Sequence, residues 1–136
     1  MNWKHFSPSQ AGSKQLVLFE EGSWGAEFHP DLKPQEGDLI AQNHWTASGF
    51  ANTDLDFLLR MHGIESVAIG GMRANTCIDC TARYAVELGY HVTLIKDAIG
   101  AFNQDEIKAT VAITFPNYGH AILTAAEFVA QLEGAS

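Results

Sequence analysis

Two cysteines, eight basic residues and no long apolar run mark what this 136-residue chain has little of. No apolar stretch is long enough to span a bilayer, and no basic segment followed by an apolar one opens the chain as an export signal would. With 16 acidic residues against eight Lys and Arg, the formal charge is −8. A surface of that sign excludes nonspecific binding to nucleic acid or to anionic membranes, both of which need cationic protein. Two cysteines without an export signal fit a reducing cytoplasm, where a lasting disulfide does not form. There is no second cysteine pair and no histidine pair at ligand spacing, so a structural zinc site is excluded and no metal or cofactor is expected. No repeat and no low-complexity tract is present. The length suits a single domain with one core, taken as residues 1–136.

What is there, from about residue 38 onward, is alternation of strand and helix. Residues 38–42 (DLIAQ), 66–70 (SVAIG), 91–95 (HVTLI) and 120–123 (HAIL) read as strands. Between them, Thr53 starts a helix whose Leu55, Leu58, Leu59 and His62 share a face and which Gly63 stops. A second helix runs from about Cys77 to Leu88, with Ala82, Ala85 and Val86 inward, and Gly89 ends it. Asn103 with Glu106, and Thr124 with Glu127, have the spacing of capping boxes and open two more helices. Pro116 ends the first of these and Gly134 the second. Strands separated by helices predict parallel pairing with helices on both faces, a three-layer α/β/α fold. In such sheets ligands collect at the carboxyl ends of the strands, which here gathers residues 43–49, 71–77 and 97–102. Residues 1–37 are irregular by comparison; within them only Lys14–Glu20 reads as a strand or a helical turn.

Both cysteines lie in one hexapeptide, NTCIDC at 75–80. A CxxC at a helix start is the mark of a thiol-redox pair, but Asp79 beside the thiols raises their pKa and works against a thiolate. The alternative is one nucleophile, Cys77, at a helix N-terminus where free N–H groups favour a thiolate, with Cys80 a turn further on. Two small buried residues without chemistry explain the spacing equally well.

The surroundings of the hexapeptide carry a resemblance. The run from Gly70 through Arg73, Asn75, Thr76 and Cys77 to Thr81-Ala82-Arg83, followed by Gly89-Tyr90 and Asp97-Ala98, resembles the nucleophile elbow of the isochorismatase-like cysteine hydrolases. Ser48-Gly49-Phe50-Ala51-Asn52-Thr53-Asp54-Leu55 resembles that family's Ser-x-Phe-x-x-Thr-x-Leu signature, and Gly22–Pro30 with Gly37-Asp38 resembles its approach to the third strand. The resemblance implies a Rossmann-like parallel sheet of order 3-2-1-4-5-6. It also implies a Cys-Lys-Asp triad that hydrolyses a small amide, or an ester, through a thioester. Cys77 is then the nucleophile, a cis peptide falls at Met72–Arg73, and the backbone N–H groups of Arg73 and Cys77 form the oxyanion hole. Trp45, Phe50 and Phe102, near the site, are candidates to line a substrate pocket.

Two departures stand out. His44 occupies the position of the family lysine. The family's first-strand aspartate motif has no counterpart, and the chain starts where members leave their second strand. The first β-α-β unit is therefore expected to be missing, and a base must come from His44, Asp97, Glu27 or His29; for Asp97 a capping role is preferred. Three outcomes follow for the sheet. Residues 38–42 pair with 66–70, or Lys14–Glu20 supplies a replacement strand, or two chains complete one another, which predicts a homodimer or higher oligomer. The functional expectation is a weakened cytoplasmic cysteine hydrolase with a small-molecule substrate. The alternatives are a non-catalytic ligand-binding or assembly remnant, and a thiol-redox protein.

Overall fold

The computed structural model describes residues 4–42 and 44–134. Internal contacts divide the chain into two units, Met1–Ile40 and Ala41–Ser136.

The first unit holds one helix, α1 (Pro8–Gln15). Ser7 and Gln10 form a full capping box: the Gln10 N–H donates to the Ser7 hydroxyl, and the Ser7 N–H to the Gln10 side-chain carbonyl. Beyond it the chain turns through Val17 and Phe19, both at positive φ, and through short 3-10 turns at Trp24–Ala26 and Pro30–Leu32. Lys14–Glu20 thus takes the helical-turn alternative; it is not a replacement strand. A left-handed residue at 17 and again at 19 is incompatible with extended pairing, despite the β-forming side chains.

The second unit carries a three-stranded parallel sheet in the order β1 (Ser66–Met72), β2 (His91–Gly100), β3 (Ala121–Leu123). The strand expected at 38–42 is absent, which corrects the sequence expectation. Asp38 is used in a turn with Gln35, through bonds from the Gln35 N–H to the Asp38 carboxylate and from the Asp38 N–H to the Gln35 carbonyl. The N–H of Gln42 donates to the Asp54 carboxylate at 2.7 Å instead of to a neighbouring strand. Among the described residues β1 therefore pairs on one side only.

The helices follow the expected stops. α2 (Leu55–Met61) receives its first-turn cap from one residue upstream, the Thr53 hydroxyl accepting from the Leu55 N–H. It closes at Gly63, whose φ is +65°. α3 (Asp79–Glu87) closes before Gly89. α5 (Ala125–Gly134) opens on the expected capping box between Thr124 and Glu127, whereas α4 (Gln104–Ala109) has half of one: Asn103 caps the Glu106 N–H, but the Glu106 carboxylate accepts from the Phe102 N–H and not from the Asn103 N–H. α4 does not stop cleanly at Pro116: a wide turn at Thr110–Thr114 and a 3-10 turn at Phe115–Asn117 carry it to β3.

α3 and α5 both pack on β2. Val92, Thr93, Leu94 and Ile95 are all buried. Successive strand residues point to opposite faces, so four in a row can be buried only if both faces are covered. The result is the three-layer α/β/α arrangement that the alternation predicts. The core joins Phe50, Ile78, Ala82, Ala85, Tyr90, Val92, Leu94 and Phe115.

One irregularity shapes the carboxyl edge of the sheet. Ile69 pairs with Leu94, but Gly71 pairs with Ile99, so β2 bulges between them. The bulge presses on Gly70: a Cβ there would stand 3.1 Å from the Ala98 carbonyl oxygen and 3.3 Å from the Ala98 Cβ. Only glycine fits the approach without a shift.

Candidate active site

β1 delivers the chain to the site. After Gly71 the Met72–Arg73 peptide is cis, at the position that the resemblance implies. Helical winding then begins at Ala74, earlier than expected, and as a widened turn over Ala74–Ile78 in which the Ile78 N–H donates to the Arg73 carbonyl at 3.0 Å. Cys77 sits inside this turn, not at the first position of α3. Wide turns of this kind occur often at functional sites. The Thr76 hydroxyl lies 3.9 Å from the Cys77 sulfur.

The two thiols differ. Cys77 is partly buried, Cys80 is exposed, and neither is in a disulfide. Burial, then the Asp79 carboxylate, pushes the Cys80 thiol up from its ordinary value. A thiol held protonated is a poor partner in disulfide exchange, which counts against the redox pair. Asp79 itself is engaged: it accepts from the Tyr118 hydroxyl at 2.7 Å and from Arg83 Nε at 2.8 Å. Burial and that bond to Asp79 hold the Tyr118 phenol far above its usual range. The Arg83 guanidinium lies over the Tyr118 ring. This network ties the first turn of α3 to the loop before β3.

Arg73 is the cation nearest in sequence to Cys77, and its carbonyl accepts from both Thr76 and Ile78. Its guanidinium stacks on the Phe102 ring, 3.9 Å from the centroid, and stands 3.8 Å from Glu106. Phe102 remains 77 % exposed. Phe50 is placed differently. It is 5 % exposed and packs between Tyr84 and Tyr90, at 6.1 and 5.8 Å between ring centroids, so it belongs to the core and not to a pocket wall. Trp45 and His44 are exposed in the segment before Ser48; Asn43 lies outside the described residues. No hydrogen bond or ion pair joins His44 to Cys77 among the described residues.

The other candidate bases are committed elsewhere or lie in the first unit. Asp97, in the β2 bulge, accepts from the Ala125 N–H at 2.8 Å and caps α5. His29 Nδ1 accepts from the Asp31 N–H and closes the turn at Pro30–Leu32, and Glu27 is exposed after the turn at Trp24–Ala26. No carboxylate is hydrogen-bonded to either Cys77 or His44 among the described residues.

Sequence reasoning placed Thr53 at the start of a helix, which its bond from the Leu55 N–H bears out, but missed the other work done by the hydroxyls. The Ser48 hydroxyl, buried, accepts from the N–H groups of Phe50 and Ala51. Thr53 donates to the Gly49 carbonyl at 2.6 Å, and the Gly49 N–H donates to the Thr81 hydroxyl at 2.9 Å. The Ser48-x-Phe50-x-x-Thr53 signature thus builds a turn pinned to α3 through Thr81. Short polar residues spaced two and three apart around a glycine were the available signal. A groove of about 450 Å³ between Arg60, Ser66, Tyr90 and His91 opens at the amino ends of β1 and β2, the opposite edge from Cys77. Arg60 there is spent on Asp56 and on the Leu88 carbonyl.

The family described as "Isochorismatase domain" matches residues 2–127. The chain belongs to the isochorismatase family. Among curated relatives, the uncharacterized isochorismatase family protein YwoC of Bacillus subtilis is 36 % identical over 127 residues, which is 93 % of this chain and 63 % of that protein. The ureidoacrylate amidohydrolase RutB of Caulobacter vibrioides is 32 % identical over 115 residues, 84 % of this chain and 50 % of that one. Among solved structures, a cysteine hydrolase from Pseudomonas syringae pv. phaseolicola superposes with a TM-score of 0.81 at 26 % identity, covering 93 % of this chain and 62 % of its own. The N-carbamoylsarcosine amidase of Thermoplasma acidophilum gives 0.65 at 25 %, with 82 % and 63 % covered. The chain thus spans less than two thirds of the length of these relatives. Their sheet and helices share the three-layer, parallel isochorismatase-type topology. Among the described residues no helix is long and apolar enough to cross a membrane.

Proposed function

We propose that this isochorismatase-family chain is a cysteine hydrolase that cleaves a C–N bond of a small amide, without a cofactor. The observation that carries the reading is the Cys77 turn: a partly buried, unpaired thiol in a widened turn directly after a strand, at the carboxyl edge of a parallel sheet. The names of relatives, an amidohydrolase and an amidase, agree with it.

In the proposed reaction His44 takes the thiol proton and the Cys77 sulfur attacks the amide carbonyl carbon. The backbone N–H groups of Arg73 and Cys77 receive the oxyanion. As the C–N bond breaks, the imidazolium returns its proton to the leaving amine. Water, deprotonated by the same imidazole, then hydrolyses the thioester and frees the thiol. Phe102 and Trp45, both exposed, offer rings to the substrate. His44 has no carboxylate to orient it among the described residues. Turnover is therefore expected to be slower than in a member with a complete triad.

That last point also favours a second reading, a ligand-binding protein without turnover. An activated ester separates the two: the hydrolase reading expects a burst of one leaving group per chain followed by slower turnover, abolished by Cys77→Ala and little changed by Cys80→Ser. Activity retained in Cys77→Ala refutes the nucleophile. Activity lost in Cys80→Ser instead points to thiol exchange. The uncovered edge of β1 supports a homodimer or higher oligomer; a compact monomer by light scattering counts against it.

A further inference from the structure

Among the described residues Arg73 has a hydrogen-bond donor that nothing accepts from. Its Nε is sealed from solvent with no acceptor, and among the described residues its side chain donates no hydrogen bond. The approach of Glu106 at 3.8 Å is an ion pair but too long for a hydrogen bond. Only 27 % of the side chain is exposed, and water does not reach the sealed Nε; the terminal nitrogens are the part of the fork open to a ligand. Buried donors left without acceptors are uncommon in folded proteins and point to a missing partner.

Glu106, by contrast, has other partners. It accepts from the Phe102 N–H and from Asn103 Nδ2 at the start of α4. It is placed by its own helix cap and does not depend on Arg73. The guanidinium carbon stands over the Phe102 ring at 3.9 Å from its centroid, which covers one side of the group and leaves its terminal nitrogens to meet a ligand. A guanidinium fork matches a carboxylate in shape, charge and number of donors. Its backbone carbonyl, meanwhile, is bonded within the turn that carries Cys77.

We propose that Arg73 is a specificity residue that binds a carboxylate on the substrate, so that the site selects small amides bearing a negative charge. This rests on the reading of the Cys77 turn as the reacting centre. Arg73 is otherwise a strut between the end of β1 and α4, and a strut alone would not distinguish an anionic ligand from a neutral one of the same size.

The test separates binding from turnover. Succinamate, an amide with a carboxylate, and succinamide, its neutral counterpart, are titrated calorimetrically against the full chain carrying Cys77→Ala. Succinamate is expected to bind at least about tenfold more tightly, the discrimination that one charged contact provides. Adding Arg73→Gln is expected to bring the two ligands within about twofold. A second measurement needs no change at Arg73: succinamate, and not succinamide, should slow phenylglyoxal modification of Arg73, read by peptide mass spectrometry. Equal binding of the two amides, a preference that survives Arg73→Gln, or equal modification rates would overturn the proposal. The intact chain then reports on the other reading. Succinamate bound but never hydrolysed sinks the hydrolase and leaves Arg73 standing; hydrolysis of neutral amides alone sinks Arg73 and leaves Cys77.

Discussion

Replacing Gly119 with alanine tests how tightly the loop before β3 is packed. The backbone at Gly119 does not take a positive φ, so alanine meets no conformational penalty of its own. The cost is steric. A Cβ at this position would overlap the edge of the Phe115 ring. That ring has no exposed surface. It is also held against Tyr118, 5.1 Å between centroids, so it has nowhere to swing. Overpacking of a filled core costs about 1–3 kcal/mol, and the depth of this overlap puts Gly119→Ala at the upper end. For 136 residues the unfolding entropy is about 0.3 kcal/mol per kelvin, which converts that cost to a Tm lower by about 7–10 °C. Circular dichroism melts of the two proteins measure it. A double variant that also carries Phe115→Leu removes the ring edge, and its loss should fall short of the sum of the single losses by about 1 kcal/mol. A melting temperature within 2 °C of the unaltered protein (about 0.6 kcal/mol,) would refute the packing argument, and strict additivity would assign the cost to some other contact.

Two further outcomes follow from single contacts. Tyr118→Phe should remove one late-ionising phenol from an absorbance titration. Because the folded pKa of Tyr118 is raised above 10, its contribution to stability is complete below that pH and is lost as the pH rises past it. The fall in urea midpoint between pH 8 and pH 10.5 should therefore be smaller in Tyr118→Phe, and an identical fall would contradict the burial and the Asp79 bond that together keep the phenol protonated. Asp97→Ala uncaps the first turn of α5 and should cost about 1 kcal/mol, seen in the urea midpoint; an unchanged value would mean that Thr124 and Glu127 cap the helix unaided.

The sheet was legible because its signals are local. Ser66–Ile69 and His91–Ile95 are short apolar runs bounded by glycine, and Gly63 and Gly89 stop their helices at φ of +65° and +91°. Asn103 with Glu106 and Thr124 with Glu127 announce helices within four residues. What escaped notice depends on distant partners. Residues 38–42 have strand-like side chains, but a strand exists only through its neighbour, and Asp38 and Gln42 bond elsewhere. β2 continues through Lys96, Asp97 and Ala98 because β1 pairs again at Gly71 and Met72, which no local pattern of charged residues would suggest. Phe50 looked like a pocket residue from its signature; its neighbours Tyr84 and Tyr90, more than thirty positions away, decide otherwise. The resemblance located Cys77 and the cis peptide. The widened turn that holds Cys77 and the unmet Nε of Arg73 are properties of folded geometry, and spacing does not encode them.

The bulge of β2 joins two parts of the molecule that would otherwise be separable. Within four residues it swings Asp97 onto the first turn of the last helix, sets Ala98 against Gly70, and returns Ile99 and Gly100 to pair with Gly71 and Met72. Shortening it by one residue would loosen the C-terminal helix and shift the strand that delivers Cys77 in the same stroke. The sheet edge and the last helix of the second unit are therefore a single unit of design: anyone grafting, trimming or permuting this chain has to carry residues 95–100 across intact.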